Sequence, residues 1–133
     1  MTAARMNSGL IAAAVRLADV LATENAALSA LNMSAAARLL PEKLAATDAF
    51  AAAQAAAAGH GRGGAGPELD SLARRLRELA TENRRLLERA MLVQGRVIAT
   101  VAKAARATAE RATPSYGAHP APRLRVCAVL TQA

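Results

Sequence analysis

The stretch LATENRRL, residues 79–86, repeats six of the eight letters of LATENAAL, residues 21–28. In each copy an Asn follows one Leu by four residues and precedes the next by three. Residues so spaced lie on one face of a helix. Asn83 therefore sits in the middle of an apolar stripe, and Asn25 at the edge of another. The likeness fades outside the eight residues, so a duplicated domain is not indicated. An amide in an apolar seam must find hydrogen bonds or cost free energy. Its usual benefit is register, because a single seam Asn penalises slipped alignments in coiled coils. The phrase reads as text for pairing helices, with a second reading in which one copy marks a partner surface. If Asn83 acts on register alone, Asn83→Leu should raise stability and admit extra association states. A plain loss of stability would mean that it has a specific buried partner.

Outward from Asn83, the helix expected over residues 68–112 changes character. Before it, Leu69, Leu72, Leu76 and Leu79 make a narrow seam of about 80° at 100° per residue. After it, Leu86, Leu87, Ala90, Met91, Val93, Val97, Ile98 and Val101 spread over roughly 160°, with Leu92 outside even that sector. A narrow seam suits one neighbouring helix. A wide one needs two neighbours or leaves apolar surface for a partner. Residues 10–40 and 43–58 could cover both flanks, and the two readings can coexist.

The rest of the chain supplies those neighbours. Asn7 and Ser8 read as N-caps. The apolar positions Leu10, Ala14, Leu17, Leu21, Leu28, Leu31, Ala35 and Leu39, with Asn32 among them, predict a long helix over 8–40. Pro41 places a kink or break at 37–41, because proline lacks an amide and clashes with the preceding turn. A second helix is expected over 42–58, anchored by Leu44 and Phe50. GHGRGGAG, residues 59–66, has five glycines in eight and should end it. Pro67 then suits a first helical position, with Glu68 and Asp70 favourable to the helix dipole. TPSYGAHPAPRL stops the late helix, leaving 113–133 as a disordered or extended tail. A hairpin folded at 59–66 sets Asn83 beside Pro41–Lys43 and Asn25 near Thr100, so the two phrases should not touch.

The expected fold class is all-α: an antiparallel helical hairpin or bundle of two to three long helices over residues 1–112, plus the tail. Of the 133 residues 53% are hydrophobic, but most of these are alanine, with no Trp, one Tyr and one Phe. Alanine favours helix yet buries little area, so the core should be thin.

Enzyme chemistry is not expected. Cys127 stands alone, and neither His60 nor His119 has a Cys or carboxylate at ligand spacing. No phosphate-loop, nucleophile-elbow or zinc-protease pattern occurs. No cofactor, metal or small-molecule substrate is implied. The opening MTAARMNSGLIAAAVRLADVLA is interrupted by Arg16 and Asp19 and keeps helical period beyond signal length. LAATDAFAAAQAAAA carries Thr47, Asp48 and Gln54 and falls short of a membrane span. A cytoplasmic protein without membrane insertion is expected.

The net charge of +7 lies in one half: residues 1–58 carry four basic and four acidic side chains, residues 59–133 thirteen and six. A basic half suggests nucleic acid. Against that, stacking aromatics are missing, fifteen of the seventeen cations are Arg, and acids are interleaved through RRLRELATENRRLLERA as on a solvated face.

The order of features, ENAALSALNMSAAARLLPEK (24–43), a Gly-rich break, ENRRLLERAMLVQGRVI (82–98) and SYGAHP (115–120), resembles the FlgN family of flagellar export chaperones, its alanine-rich members in particular. Glu24, Leu28 and Lys43 match an early Glu, Leu and Lys of that family; Asn83, Leu86 and Leu87 match a later Asn and paired leucines; Tyr116 and Gly117 match a Tyr-Gly in the tail. His119-Pro120 departs from the glycine that often follows there. The resemblance implies a cytoplasmic chaperone for flagellar type III export. Its partners would be the hook-associated proteins of the hook–filament junction and the export apparatus. It would bury a client's amphipathic helix in an apolar groove and so prevent premature assembly. The family holds its client through the later part of the molecule. The candidate partner-binding residues are thus Asn83, Leu86, Leu87, Met91, Val93, Gln94, Val97, Ile98 and Val101. The alternative from another class is a basic coiled-coil structural or nucleoid-type protein that binds acidic polymers.

Overall fold

The computed structural model describes residues 3–59 and 66–112. The expectations for His60, Cys127, His119 and the tail lie outside the described residues. The described residues are helical and contain no strand: α1 (Ala3–Ser29), α2 (Met33–Arg38), α3 (Leu40–Ala58) and α4 (Pro67–Ala112). The all-α class is as expected. The chain divides into two compact units, Met1–Val93 and Gln94–Ala133.

The long first helix is not one helix. It starts at Ala3, so Asn7 and Ser8 lie inside it rather than capping it; the Ser8 hydroxyl donates to the Arg5 carbonyl at 2.8 Å. It ends at Ser29, well before Pro41. Leu31 takes φ 55°. Its amide donates to the Leu28 carbonyl at 3.0 Å, and that of Asn32 to the Ala27 carbonyl at 2.9 Å. This is the Schellman closure, which normally places glycine in the left-handed position. Leucine there costs roughly 1–2 kcal/mol. Asn32, read from periodicity as part of the apolar stripe, is the N-cap of α2, its side chain accepting from the Ala35 amide at 3.1 Å. Pro41 falls in the first turn of α3, where its missing amide is harmless.

Because the chain reverses at 30–32, α1 and α3 form an antiparallel pair. Ala14 and Ala46, at 1% and 0% exposure, let these two helices approach closely. Within the first unit α4 returns antiparallel to α3 and therefore parallel to α1. The contacts fix this direction: Leu72, Leu76 and Leu79 pack with Leu17 and Leu21, while Leu86 and Ala90 pack with Leu28.

Among the described residues most of the buried apolar side chains gather in two clusters. The first joins Ala14, Leu17, Ala18, Val20, Leu21, Ala46 and Leu76, with Phe50, Leu72 and Leu79 against it. The second is smaller: Leu28, Ala36, Leu86 and Ala90, with Ala27, Met33 and Leu87 alongside. Each buried leucine contributes about 1.5–3 kcal/mol. No large side chain among the described residues is fully buried, which is the thin core that alanine-rich helices imply. Of the two expected anchors of α3, Phe50 packs against the first cluster, whereas Leu44 points to solvent.

Candidate functional site

Between the two clusters lies a polar layer drawn from three helices. Glu24 and Asn25 come from α1, Lys43 from the first turn of α3 and Asn83 from α4. Glu24, Asn25 and Asn83 are buried. Lys43 Nζ is 2.8 Å from Glu24 Oε2 and donates to Asn83 Oδ1 at 2.9 Å. Asn83 Nδ2 donates to Glu24 Oε2 at 2.8 Å and to Asn25 Oδ1 at 2.9 Å. Asn25 Nδ2 donates to the Leu79 carbonyl at 3.1 Å. No buried side-chain nitrogen or oxygen among the described residues is left without a partner. A buried pair so fully hydrogen-bonded adds little net stability but strongly disfavours any arrangement that separates its members.

The layer answers the repetition. Asn83 lies beside Lys43, as the hairpin reading expected. Asn25, however, meets Asn83: the two phrases, expected not to touch, are in direct contact. The reversal at 30–32 accounts for the difference. With one uninterrupted helix over 8–40, α1 would have run antiparallel to α4. With the turn at 30–32 it runs parallel, and the eight-residue phrases face each other in register. Glu82, the counterpart of Glu24, faces water instead. Arg85 Nη2 donates to it at 2.7 Å, and this hydrogen bond holds the Glu82 carboxyl below its ordinary value and raises Arg85.

The candidate partner-binding residues divide by burial. Asn83 and Leu86, at 6% and 2% exposure, are interior residues of the folded chain and offer no surface in it. Leu87 is half-buried on the second cluster, and Val93 is half-buried too. Met91 is 71% exposed, and Leu92, which periodicity set outside the stripe, is 64% exposed. In the second unit Gln94 is exposed, and Val97, Ile98 and Val101 are 56%, 57% and 62% exposed. Within the first unit, cover by the earlier helices thus holds for Leu86 and Ala90 and not for Met91; in the second unit Val97, Ile98 and Val101 are exposed. At 100° per residue, Val97, Ile98 and Val101 fall within about 100° of arc, so they form one uncovered stripe.

Ala4–Ser29 is long and apolar enough to cross a membrane by length and composition. Core helices pass the same test, and here Leu17, Val20, Leu21, Leu28 and Glu24 of this helix are buried in the bundle, while Val15 on its other side is exposed. Among the described residues no group of three His, Cys, Asp or Glu could hold a metal ion.

Compared with known proteins, the chain matches no family model, no curated protein and no solved structure.

Proposed function

We propose that this chain is a helix-capturing chaperone of the FlgN kind, acting in the cytoplasm on hook-associated proteins bound for flagellar type III export. The observation that carries the reading is the uncovered stripe of α4: Val97, Ile98 and Val101 expose large apolar side chains on one face. A stripe of that kind is costly in water and suits an amphipathic partner helix. The resemblance gains support from a second fact. Glu24, Leu28, Lys43, Asn83, Leu86 and Leu87, which carry it in the sequence, converge on the polar layer and the second cluster. The work is burial and release, with no bond made or broken.

The test is co-purification with a hook-associated protein at low and high salt. Capture through apolar contact should persist from 50 to 200 mM salt. In the alternative, a basic coiled coil on an acidic polymer, Arg96, Lys103, Arg106 and Arg111 are the cations of the described second unit. Four phosphate contacts imply a loss of about a hundredfold over that salt range. Steep salt dependence, or retention of nucleic acid without any hook-associated protein, would favour the alternative.

A further inference from the structure

We propose that α2 is a displaceable cover: in the free chain it fills the apolar groove that an incoming amphipathic helix takes over. The inference rests on the function proposed above and adds to the exposed stripe of the second unit a groove in the first unit, occupied by α2 before a partner arrives. Leu28, Leu86 and Ala90 form the floor, and α2 closes it with Ala36 and Met33. Leu86 and Leu87, candidates for partner binding in the sequence, are the residues this cover hides or crowds. Met91, beside them on α4, is exposed in the first unit.

Three features make the cover removable. At six residues α2 is too short to hold its own helical form, so its order depends on docking. Its entry is strained, because Leu31 occupies a left-handed position that suits glycine. And the anchors of the bundle bracket it: Glu24 and Asn25 precede the segment 26–42, Lys43 follows it, and all three are tied through Asn83. Release of α2 would leave that layer and the whole first cluster in place. A helix laid along Leu28, Leu86, Ala90 and Met91 would then bury what α2 buried and gain the exposed Met91 besides.

Hydrogen exchange on the intact chain tests this. In the free protein the segment 31–39 should exchange roughly 100-fold faster than residues 17–24, through local opening. Asn32→Ala, which removes the exposed cap of α2, should speed that segment several-fold further and leave the main melting transition unmoved. With a hook-associated protein bound, 31–39 should lose protection while 86–93 gains it. If 31–39 exchanges only with global unfolding, or if Asn32→Ala lowers the main transition, α2 is an integral part of the bundle and the cover is wrong. If a hook-associated protein binds while 31–39 keeps its protection, the cover is wrong and the chaperone reading stands. If no hook-associated protein binds, the chaperone reading fails and the displacement falls with it, however fast the segment exchanges.

Discussion

Asn25 and Asn83, which hold the same place in two near-identical phrases 58 residues apart, hydrogen-bond to each other at 2.9 Å. Two parallel helices spelling the same words meet at the same letter. A seam asparagine facing its equivalent is a register device. Here it is extended by Glu24 and Lys43 into a layer that ties three helices at one level.

Because Asn83 has specific partners, Asn83→Leu should destabilise rather than stabilise the chain. It strips a donor from Asn25 and Glu24 and an acceptor from Lys43, and about 1–3 kcal/mol is the usual cost of leaving buried groups unmatched. Chemical denaturation followed by circular dichroism would measure it. Increased stability with new oligomers would return Asn83 to the simpler role of penalising slippage.

The ion pair should behave as a unit. Lys43→Met leaves the Glu24 carboxylate buried with only an amide for company, at a cost of about 3 kcal/mol, the low end for a broken buried pair, since Lys43 keeps 22% of its side chain exposed. Glu24→Leu combined with Lys43→Met should cost clearly less than the two single changes added together. Additive losses in that double-mutant cycle would show that the pair is not coupled.

How much of this was legible in the sequence depended on where the chain gave conventional signals. Pro41, Gly59 and Pro67 stand at real boundaries, and Leu72, Leu76 and Leu79 of the narrow seam pack as their spacing predicts. The reversal at 30–32 was hidden because no glycine or proline marks it: a leucine takes the left-handed position. Leu28, Leu31, Ala35 and Leu39 also keep helical spacing straight through the turn. Asn32 before Met33-Ser34 was the available clue, since asparagine is a favoured cap. Missing that turn inverted the direction of α1 against α4 and separated two asparagines that touch. The repetition was itself a clue, because identical phrases pair in register only when their helices run parallel.

Leu31→Gly should stabilise the chain by about 0.5–1 kcal/mol, the relief of a left-handed leucine less the extra entropy glycine has when unfolded. Thermal melting would register this. A loss of stability would mean that the half-exposed leucine side chain contributes more than its backbone costs.

The surface pair on α4 gives a pH signature. Arg85 holds the Glu82 carboxyl below its ordinary value by a hydrogen bond. Such a contribution is present above the ordinary carboxylate value and is lost as pH falls through the lowered one. Both groups face water, so the effect on stability should be small and weakened by salt. In an NMR titration, Arg85→Ala should move the Glu82 midpoint upward toward the ordinary carboxylate value. An unmoved midpoint would show that the pair does not persist in solution.

The central claim is that the uncovered stripe of α4 captures a partner helix, and paired aspartate substitutions test it most directly. Val97→Asp with Val101→Asp places charge on a solvent-facing surface, whereas Leu76→Asp places it in the first core cluster, where an unpaired carboxylate is costly. Circular dichroism reports folding, and co-purification with a hook-associated protein reports capture. The expected result is that Leu76→Asp loses helical structure, while the double variant keeps it and no longer retains the partner. A double variant that stays folded and still holds the hook-associated protein would contradict the account.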